Sequence, residues 1–238
     1  MRLMKKDKKD RLSEYNENLL KMAEEGARDA AALQNAVITW AAEVIEFRDE
    51  ETGRHVERVQ KYLKLLLDKM AKSEKYAAET AAWNEEAFLK SAILHDVGKI
   101  RIHDGILLKP GRLTEEEFTD MRRHSMYGKT LLENLQSKAP NQTFLEYAKT
   151  LAYRHHEKWD GSGYPDGLKG EQIPLQARMM ALADVYDALI SKRPYKKAFT
   201  HEEAMRIIKG ERGIHFDPDL TDIFEKLSEE IREISAVR

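Results

Sequence analysis

Apolar residues recur along most of the chain at the three- and four-residue spacing of amphipathic helices. The first run includes Leu19, Leu33 and Trp40, and it predicts one long N-terminal helix with a near-heptad seam. Such a helix can pack on its own domain, form a parallel homodimer, or link the chain to an upstream sensory domain, and the pattern leaves these alternatives open. We therefore divide the chain into a helical linker or coiled coil, residues 1–38, and a second domain, residues 39–238.

Polar residues that favour helix starts precede several of the later apolar runs. These capping residues are Asn84, Thr114, Thr143, Thr200 and Asp217. Segment 100–111 lacks a helical period and is expected to be extended, and segment 157–173 is expected to be a polar loop. Strand signals are nearly absent, so the sequence predicts an all-α fold.

The composition narrows the possible functions. A net charge of −2 gives no general affinity for nucleic acid polymers or membrane surfaces. The chain has no cysteine, so any metal site must be built from His, Asp and Glu. No apolar run is long enough to span a membrane, and the N-terminus lacks the apolar region of a signal peptide. We expect a cytoplasmic protein.

Histidines are the most informative residues of the chain. Five of the eight lie near a predicted helix end or on an apolar helix face: His55, His95, His124 (near the end of its helix), His155 and His156. Three carboxylates accompany them: Glu51, Asp96 and Asp184. Burying so many ionisable groups is costly unless bound cations compensate them, and these ligand types suit iron, manganese or zinc. The remaining histidines are expected to be structural: His103, His201 and His215.

The order of these residues resembles the HD superfamily of metal-dependent phosphohydrolases. The elements that carry this resemblance are His55, the pair His95-Asp96, and Asp184. Segment 155–165, with the sequence HHEKWDGSGYP, is similar to the signature of the HD-GYP branch. Segments 95–100, 108–111, 183–189, 193–196 and 215–218 extend the similarity, which covers about residues 40–227.

The resemblance implies a helical bundle that hydrolyses cyclic di-GMP, a bacterial second messenger, to linear pGpG or GMP. It also implies two or three divalent metal ions, usually iron or manganese. Asp96 matches the ligand that bridges two metals, and Glu51 matches a carboxylate found in members with a third metal. The full set of matching metal ligands is Glu51, His55, His95, Asp96, His124, His155, His156 and Asp184.

The resemblance also indicates which residues act on the substrate. Asp96 and Lys99 match catalytic positions, and Lys99, Arg193 and Lys196 match positions that contact substrate phosphates. Tyr164, in the Gly-Tyr-Pro tripeptide, is expected near the substrate. Two alternatives stay open: an HD phosphohydrolase for another cyclic dinucleotide or nucleotide, and a cyclic di-GMP sensor without turnover. Such a sensor would signal to a partner protein through the loop that carries the tripeptide.

Overall fold

The computed structural model describes residues 2–48, 54–192 and 198–236, and within these ranges the chain is helical without a β-strand. The α-helices are α1 Arg2–Arg48, α2 His55–Met70, α3 Ala77–Thr80, α4 Glu85–Ser91, α5 Asp104–Leu107, α6 Glu115–Lys138, α7 Thr143–Arg154, α8 Leu175–Ile190, α9 His201–Gly210, α10 Pro218–Lys226 and α11 Ser228–Ala236. Three short 3₁₀ helices are Ala92–Leu94, Val97–Arg101 and Gly170–Gln172. The all-α prediction is confirmed.

The chain divides into two compact units, residues 1–41 and 42–238. The first unit lies within α1, and most of its apolar side chains are exposed, including Leu33 at 67% and Trp40 at 65%. The boundary proposed from the sequence, between residues 38 and 39, falls inside this unbroken helix. None of the described helices combines the length and the apolar character needed to cross a membrane.

The second unit is built around α2 and α8, which pack against each other. Its core consists of aliphatic and aromatic side chains from these two helices, together with residues of α4, α7, α9, α10 and α11. Helix α8 is buried along most of its length, and acidic residues are unusual in such a helix. Asp187 on α8 and His55 at the start of α2 are both buried at this central helix pair. The helix pair that forms the core therefore also carries polar side chains.

Most of the predicted helix starts are confirmed, and one is wrong. Asn84, Thr114, Thr200 and Asp217 each accept a hydrogen bond from a backbone N–H in the first turn of α4, α6, α9 or α10. Thr143 is instead the first residue of α7, and it is preceded by an N-cap, Gln142, that makes no side-chain capping bond. A Ser or Thr next to a helix start is therefore insufficient to locate the cap to a single residue.

Two further expectations differ from the structure. Segment 100–111 is not extended throughout, because it contains the end of the 3₁₀ helix Val97–Arg101 and all of α5. These single turns are too short to produce a visible apolar period. His124 lies well inside α6 rather than near its end, because that helix continues to Lys138.

Candidate metal centre

Seven of the eight residues matched to metal ligands lie in the described part of the chain and come together in the second unit. They come from α2, the turn before Val97–Arg101, α6, the C-terminal end of α7, and α8. One possible ligand atom from each residue lies within 4.8 Å of those of its group. The two groups are Asp96, His124, His155 and His156, and, separately, His55, His95 and Asp184.

Five candidate residues do not belong to the two ligand groups. Three of them lie outside the described residues: Glu51, Arg193 and Lys196. Lys99 is described, and its Nζ lies 2.8 Å from Asp96 Oδ2, at the centre of the ligand groups. Tyr164 is also described, and its ring centroid lies 4.7 Å from that of His156.

The approach of α6 to the turn that carries Asp96 depends on Gly98. A Cβ atom on this residue would collide with the backbone carbonyl of His124 and would lie 2.5 Å from the backbone nitrogen of Gly128. Glycine is therefore required here by the close contact between two backbones. This contact brings His124 beside Asp96.

Backbone carbonyl groups orient three of the histidines. A carbonyl oxygen can only accept a hydrogen bond, so the Nδ1 atom that bonds to it carries the proton. Each Nε2 is then directed towards the ligand groups, as in metal-binding histidines. The three Nδ1–H bonds run from His95 to Ala92 (2.9 Å), from His124 to Met121 (2.7 Å) and from His155 to Leu151 (2.7 Å).

Several of the inward-facing atoms are buried and have no hydrogen-bond partner among the described residues. They are the Nε2 atoms of His95, His124 and His155 and the Oδ1 atom of Asp96. Leaving such atoms unsatisfied costs free energy, whereas a divalent cation would use their lone pairs directly. The donor set therefore fits a metal ion, since it combines imidazole nitrogens with carboxylate oxygens.

Asp96, a member of the first group, also approaches the second. Its Oδ1 atom is 3.3 Å from Nε2 of His124 and 3.6 Å from Nε2 of His155. Its Oδ2 atom is 3.3 Å from Nε2 of His95, which belongs to the other group. The second group is completed by Asp184, whose Oδ1 atom lies 3.5 Å from His55 Nε2 and 3.9 Å from His95 Nε2.

The carboxylate of Asp96 stays ionised despite its surroundings. Burial would raise its pKa, but the cationic Lys99 and the nearby His95 hold that pKa well below its usual range. Burial likewise opposes the charged form of His95, yet Asp96 and Asp184 outweigh it and raise the pKa of His95 to about 10. The two carboxylates thus attract positive charge, which a bound cation would provide in place of a proton.

Two imidazoles of the other group, those of His124 and His156, stay neutral. Burial lowers the pKa of His124 to about 4. Burial, together with the neighbouring His155 and His124, holds the pKa of His156 well below its usual range. Neutral imidazole is the form that binds a metal, so no proton has to leave these two residues before metal binding.

Asp187 is a buried acidic residue whose role was not identified from the sequence. Its Oδ2 atom lies 2.8 Å from His55 Nδ1, and Arg58 donates to both of its carboxylate oxygens at 2.7 and 2.8 Å. Burial would raise the pKa of Asp187, but the hydrogen bonds from His55 and Arg58 lower it below its usual range. Asp187 therefore orients His55 towards Asp184. The sequence signal that could have identified Asp187 is its position three residues after Asp184, on a largely apolar helix.

The loop after α7 packs against the ligand groups. Glu157 is buried and accepts hydrogen bonds from the backbone N–H groups of Asp166 (2.7 Å) and Leu168 (3.0 Å). Tyr164 donates its backbone N–H to the carbonyl of His156 at 3.1 Å, and the two rings are inclined by 31°. The loop therefore holds the Tyr164 ring against a candidate metal ligand.

The remaining three histidines make structural contacts and belong to neither ligand group. His103 caps α5 by accepting a hydrogen bond from the Gly105 N–H. His201 lies 2.7 Å from the Tyr186 hydroxyl and 2.8 Å from the Ser228 hydroxyl, and His215 stacks on Phe216.

Comparison with known proteins adds a family and several named relatives. The family model described as HD domain matches residues 6–220. A "Probable cyclic di-GMP phosphodiesterase" of Vibrio cholerae is 48% identical over 93% of this chain and 51% of its own length. The "Cyclic di-GMP phosphodiesterase response regulator RpfG" of Xanthomonas campestris is 44% identical over 76% of this chain and 44% of its own.

The name of a third relative specifies a different substrate. The "3'3'-cGAMP-specific phosphodiesterase 2" of Vibrio cholerae is 39% identical over 83% of this chain and 35% of its own length. The chain thus spans about half, or less, of the length of these relatives. Their names describe whole proteins that are longer than the part matched here.

Proposed function

The chain belongs to the HD domain family, and on that basis we propose that it is a metal-dependent phosphodiesterase that hydrolyses cyclic di-GMP to linear pGpG or GMP. Relatives with cyclic di-GMP phosphodiesterase in their names support the substrate. The observation that carries the proposal is the position of the Asp96 carboxylate between two groups of inward-facing ligands.

The proposed cofactor is a pair of divalent ions, iron or manganese, held by the two ligand groups. In this assignment Asp96 would serve both ions through its two oxygens, and the other residues that would hold them are His55, His95, Asp184, His124, His155 and His156. Glu51, four residues before His55 in the sequence, is the proposed ligand of a third ion. When bound, the ions supply Lewis-acid chemistry, which lowers the pKa of water and offsets phosphate charge.

Cationic side chains would bind the scissile phosphate. Lys99 has its ammonium group 2.8 Å from Asp96, so a phosphate at the ligand groups comes within its reach. It would donate hydrogen bonds to a non-bridging oxygen and stabilise the negative charge that develops there during attack. We assign the same role to Arg193 and Lys196, on the strength of the sequence motif.

The proposal is tested with protein purified without oxygen. Metal analysis is expected to find two or three iron or manganese ions per chain, and cyclic di-GMP is expected to yield pGpG or GMP. His155→Gln is expected to abolish turnover, whereas His103→Gln, which changes a histidine outside the ligand groups, is expected to retain it. One ion or none per chain, or an intact substrate after prolonged incubation, would contradict the proposal.

A second candidate substrate is 3'3'-cGAMP. It is favoured by three relatives whose names specify this dinucleotide, which are 39%, 32% and 31% identical to the chain. The same assay with both dinucleotides separates the candidates, because the preferred substrate has the higher kcat/KM.

The exposed apolar side chains of α1 support an additional proposal for this helix, a parallel homodimer of the whole chain. The alternative is a linker that carries the signal of an upstream sensory domain. The dimer interpretation predicts twice the mass of one chain in solution, whereas the linker interpretation does not require it.

A further inference from the structure

Arg122 lies on α6, two residues before the candidate ligand His124. Its guanidinium carbon lies 4.4 Å from the ring centroid of Phe118 and 5.2 Å from that of Tyr164. A guanidinium is planar and favours the faces of aromatic rings, and such contacts restrict its orientation. Two rings therefore hold the end of this long side chain, which otherwise would sample many rotamers.

No carboxylate in the described part of the chain pairs with the N–H donors of Arg122. Among the described residues no ion pair involves Arg122, whereas its neighbour Arg123 pairs with Asp120 at 3.0 Å. Two other described cations close to the ligand groups are paired: Lys99 with Asp96, and Arg58 with Asp187. Arg122 is exposed, so its donors are available to a molecule that enters from solvent.

The position of Arg122 places it at the rim of the ligand groups. The Tyr164 ring connects Arg122 to the ligand groups, because its centroid lies 4.7 Å from that of His156 and 6.4 Å from that of His124. Tyr164 thus lies against the ligands and also contacts the guanidinium. In a nucleotide the base is separated from the phosphate by the sugar, so a phosphate at the ligand groups places its base farther out, at such a rim.

The chemistry of the guanidinium selects among bases. Guanine presents two adjacent acceptors, O6 and N7, which match two parallel N–H groups of arginine. Adenine presents a donor, N6–H₂, next to N7, and therefore opposes one of these N–H groups. We propose that Arg122, held by Phe118 and Tyr164, recognises a guanine base of the substrate and so determines base specificity. This inference rests on the proposed phosphodiesterase function.

The test compares Arg122→Ala with Arg122→Lys and the matched control Arg123→Ala, each with its bound metal measured. Loss of the bidentate contact is expected to lower kcat/KM for cyclic di-GMP about 10- to 100-fold, mainly through KM. Hydrolysis of both cyclic di-GMP and bis(p-nitrophenyl) phosphate is expected to stay unchanged in Arg123→Ala, and in the two Arg122 variants the loss is expected to be much smaller for bis(p-nitrophenyl) phosphate, which has no base, than for cyclic di-GMP. Arg122→Lys is expected to resemble Arg122→Ala, because an ammonium lacks the planar pair of donors.

A binding measurement separates this inference from the proposed activity. Calorimetry with GMP and AMP on the wild-type protein is expected to show preference for GMP, and Arg122→Ala is expected to abolish that preference. Equal losses for GMP and AMP would overturn base recognition and indicate a phosphate contact. An unchanged kcat/KM in Arg122→Ala would also overturn it while leaving the phosphodiesterase intact. If the wild-type protein cleaves no cyclic dinucleotide, the proposed function fails, whereas a GMP preference that depends on Arg122 would still support recognition.

Discussion

At the scale of single residues, the site depends on side chains that have more than one partner. Asp96 directs one oxygen to His124 and His155 and the other to His95 and Lys99. Such a residue cannot be replaced without affecting both ligand groups. Asp187 acts on the site indirectly, because its contact with the ligand groups is the hydrogen bond to His55.

Asp96→Asn is expected to empty both proposed metal positions and to reduce hydrolysis of cyclic di-GMP to the uncatalysed rate. The amide keeps the size of the side chain but removes the charge that attracts cations. Metal analysis and a product assay check this result. Asp104→Asn is the control, because Asp104 pairs with Arg48 and is an exposed carboxylate. Retention of two ions by Asp96→Asn would contradict the bridging role.

Asp187→Asn is expected to weaken metal affinity about 10- to 100-fold, the usual effect of losing a partner that orients a ligand histidine. It is also expected to lower the melting temperature, because Arg58 loses a buried carboxylate. Metal titration followed by calorimetry measures the first effect, and thermal unfolding measures the second.

The control for this prediction is Asp217→Asn. Asp217 is also a buried carboxylate, and it pairs with Arg178 at 2.5 Å, but it belongs to neither ligand group. We expect this variant to lose stability while its metal affinity stays unchanged. Equal metal affinities in the Asp187 and Asp217 variants would show that Asp187 has no specific effect on His55.

At the scale of elements, the geometry of the site is set by how closely helices approach one another. The 3₁₀ helix that contains Gly98 packs directly on α6. Helix α8 is buried between neighbours and carries Asp184 and Asp187 on successive turns. Small changes in helix spacing therefore move ligands relative to one another.

Gly98→Ala is expected to destabilise the protein by about 1–3 kcal/mol and to reduce metal binding. The added methyl group would separate the 3₁₀ helix from α6, and Asp96 would move away from His124. Chemical denaturation and metal titration measure the two effects. Gly210→Ala is the control, because a Cβ there meets no atom within 4 Å. Full metal binding by Gly98→Ala would show that the backbone contact does not position the ligands.

The dimer interpretation of α1 predicts a particle with twice the mass of one chain in light scattering. A charge on the proposed seam opposes association, so Leu33→Lys is expected to shift the protein towards the monomer. Glu24→Lys, which also changes α1 at an exposed position, provides the control. A monomeric wild-type protein at high concentration would favour the linker interpretation.

At the scale of the whole molecule, bound metal would join the elements that form the second unit. The candidate ligands come from α2, α6, α7 and α8 and from the turn after Ala92–Leu94. A ligand that binds only the folded state stabilises it in proportion to the logarithm of its concentration over Kd. Metal is therefore expected to contribute to stability as well as to catalysis.

Removal of metal by a chelator is expected to abolish hydrolysis and lower the melting temperature, and added manganese or iron is expected to restore both. Saturation at about 100 times Kd corresponds to roughly 2.7 kcal/mol of stabilisation. Differential scanning calorimetry with and without metal measures the shift. The Asp96→Asn variant serves as the control, since its melting temperature is expected to be insensitive to the chelator. Equal melting temperatures for wild-type protein with and without metal would contradict this prediction.

Local patterns in the sequence determined the helices and most of their first turns, because periodicity and capping act over only a few residues. Asn84, Thr114 and Thr200 show this directly, since each bonds within its own first turn. The order of histidines and aspartates also indicated the family and the candidate ligands. Short turns such as α5 were not predicted, because four residues cannot display a helical period.

Only the tertiary structure decided how these residues meet. His55 forms a hydrogen bond with Asp187, 132 positions away in the chain. Gly98 is required because the backbone of α6 lies directly against it. The contact of Arg122 with Tyr164 likewise joins a helix to a distant loop. Such contacts depend on how closely separate elements pack, and local spacing in a single sequence carries no information about that distance.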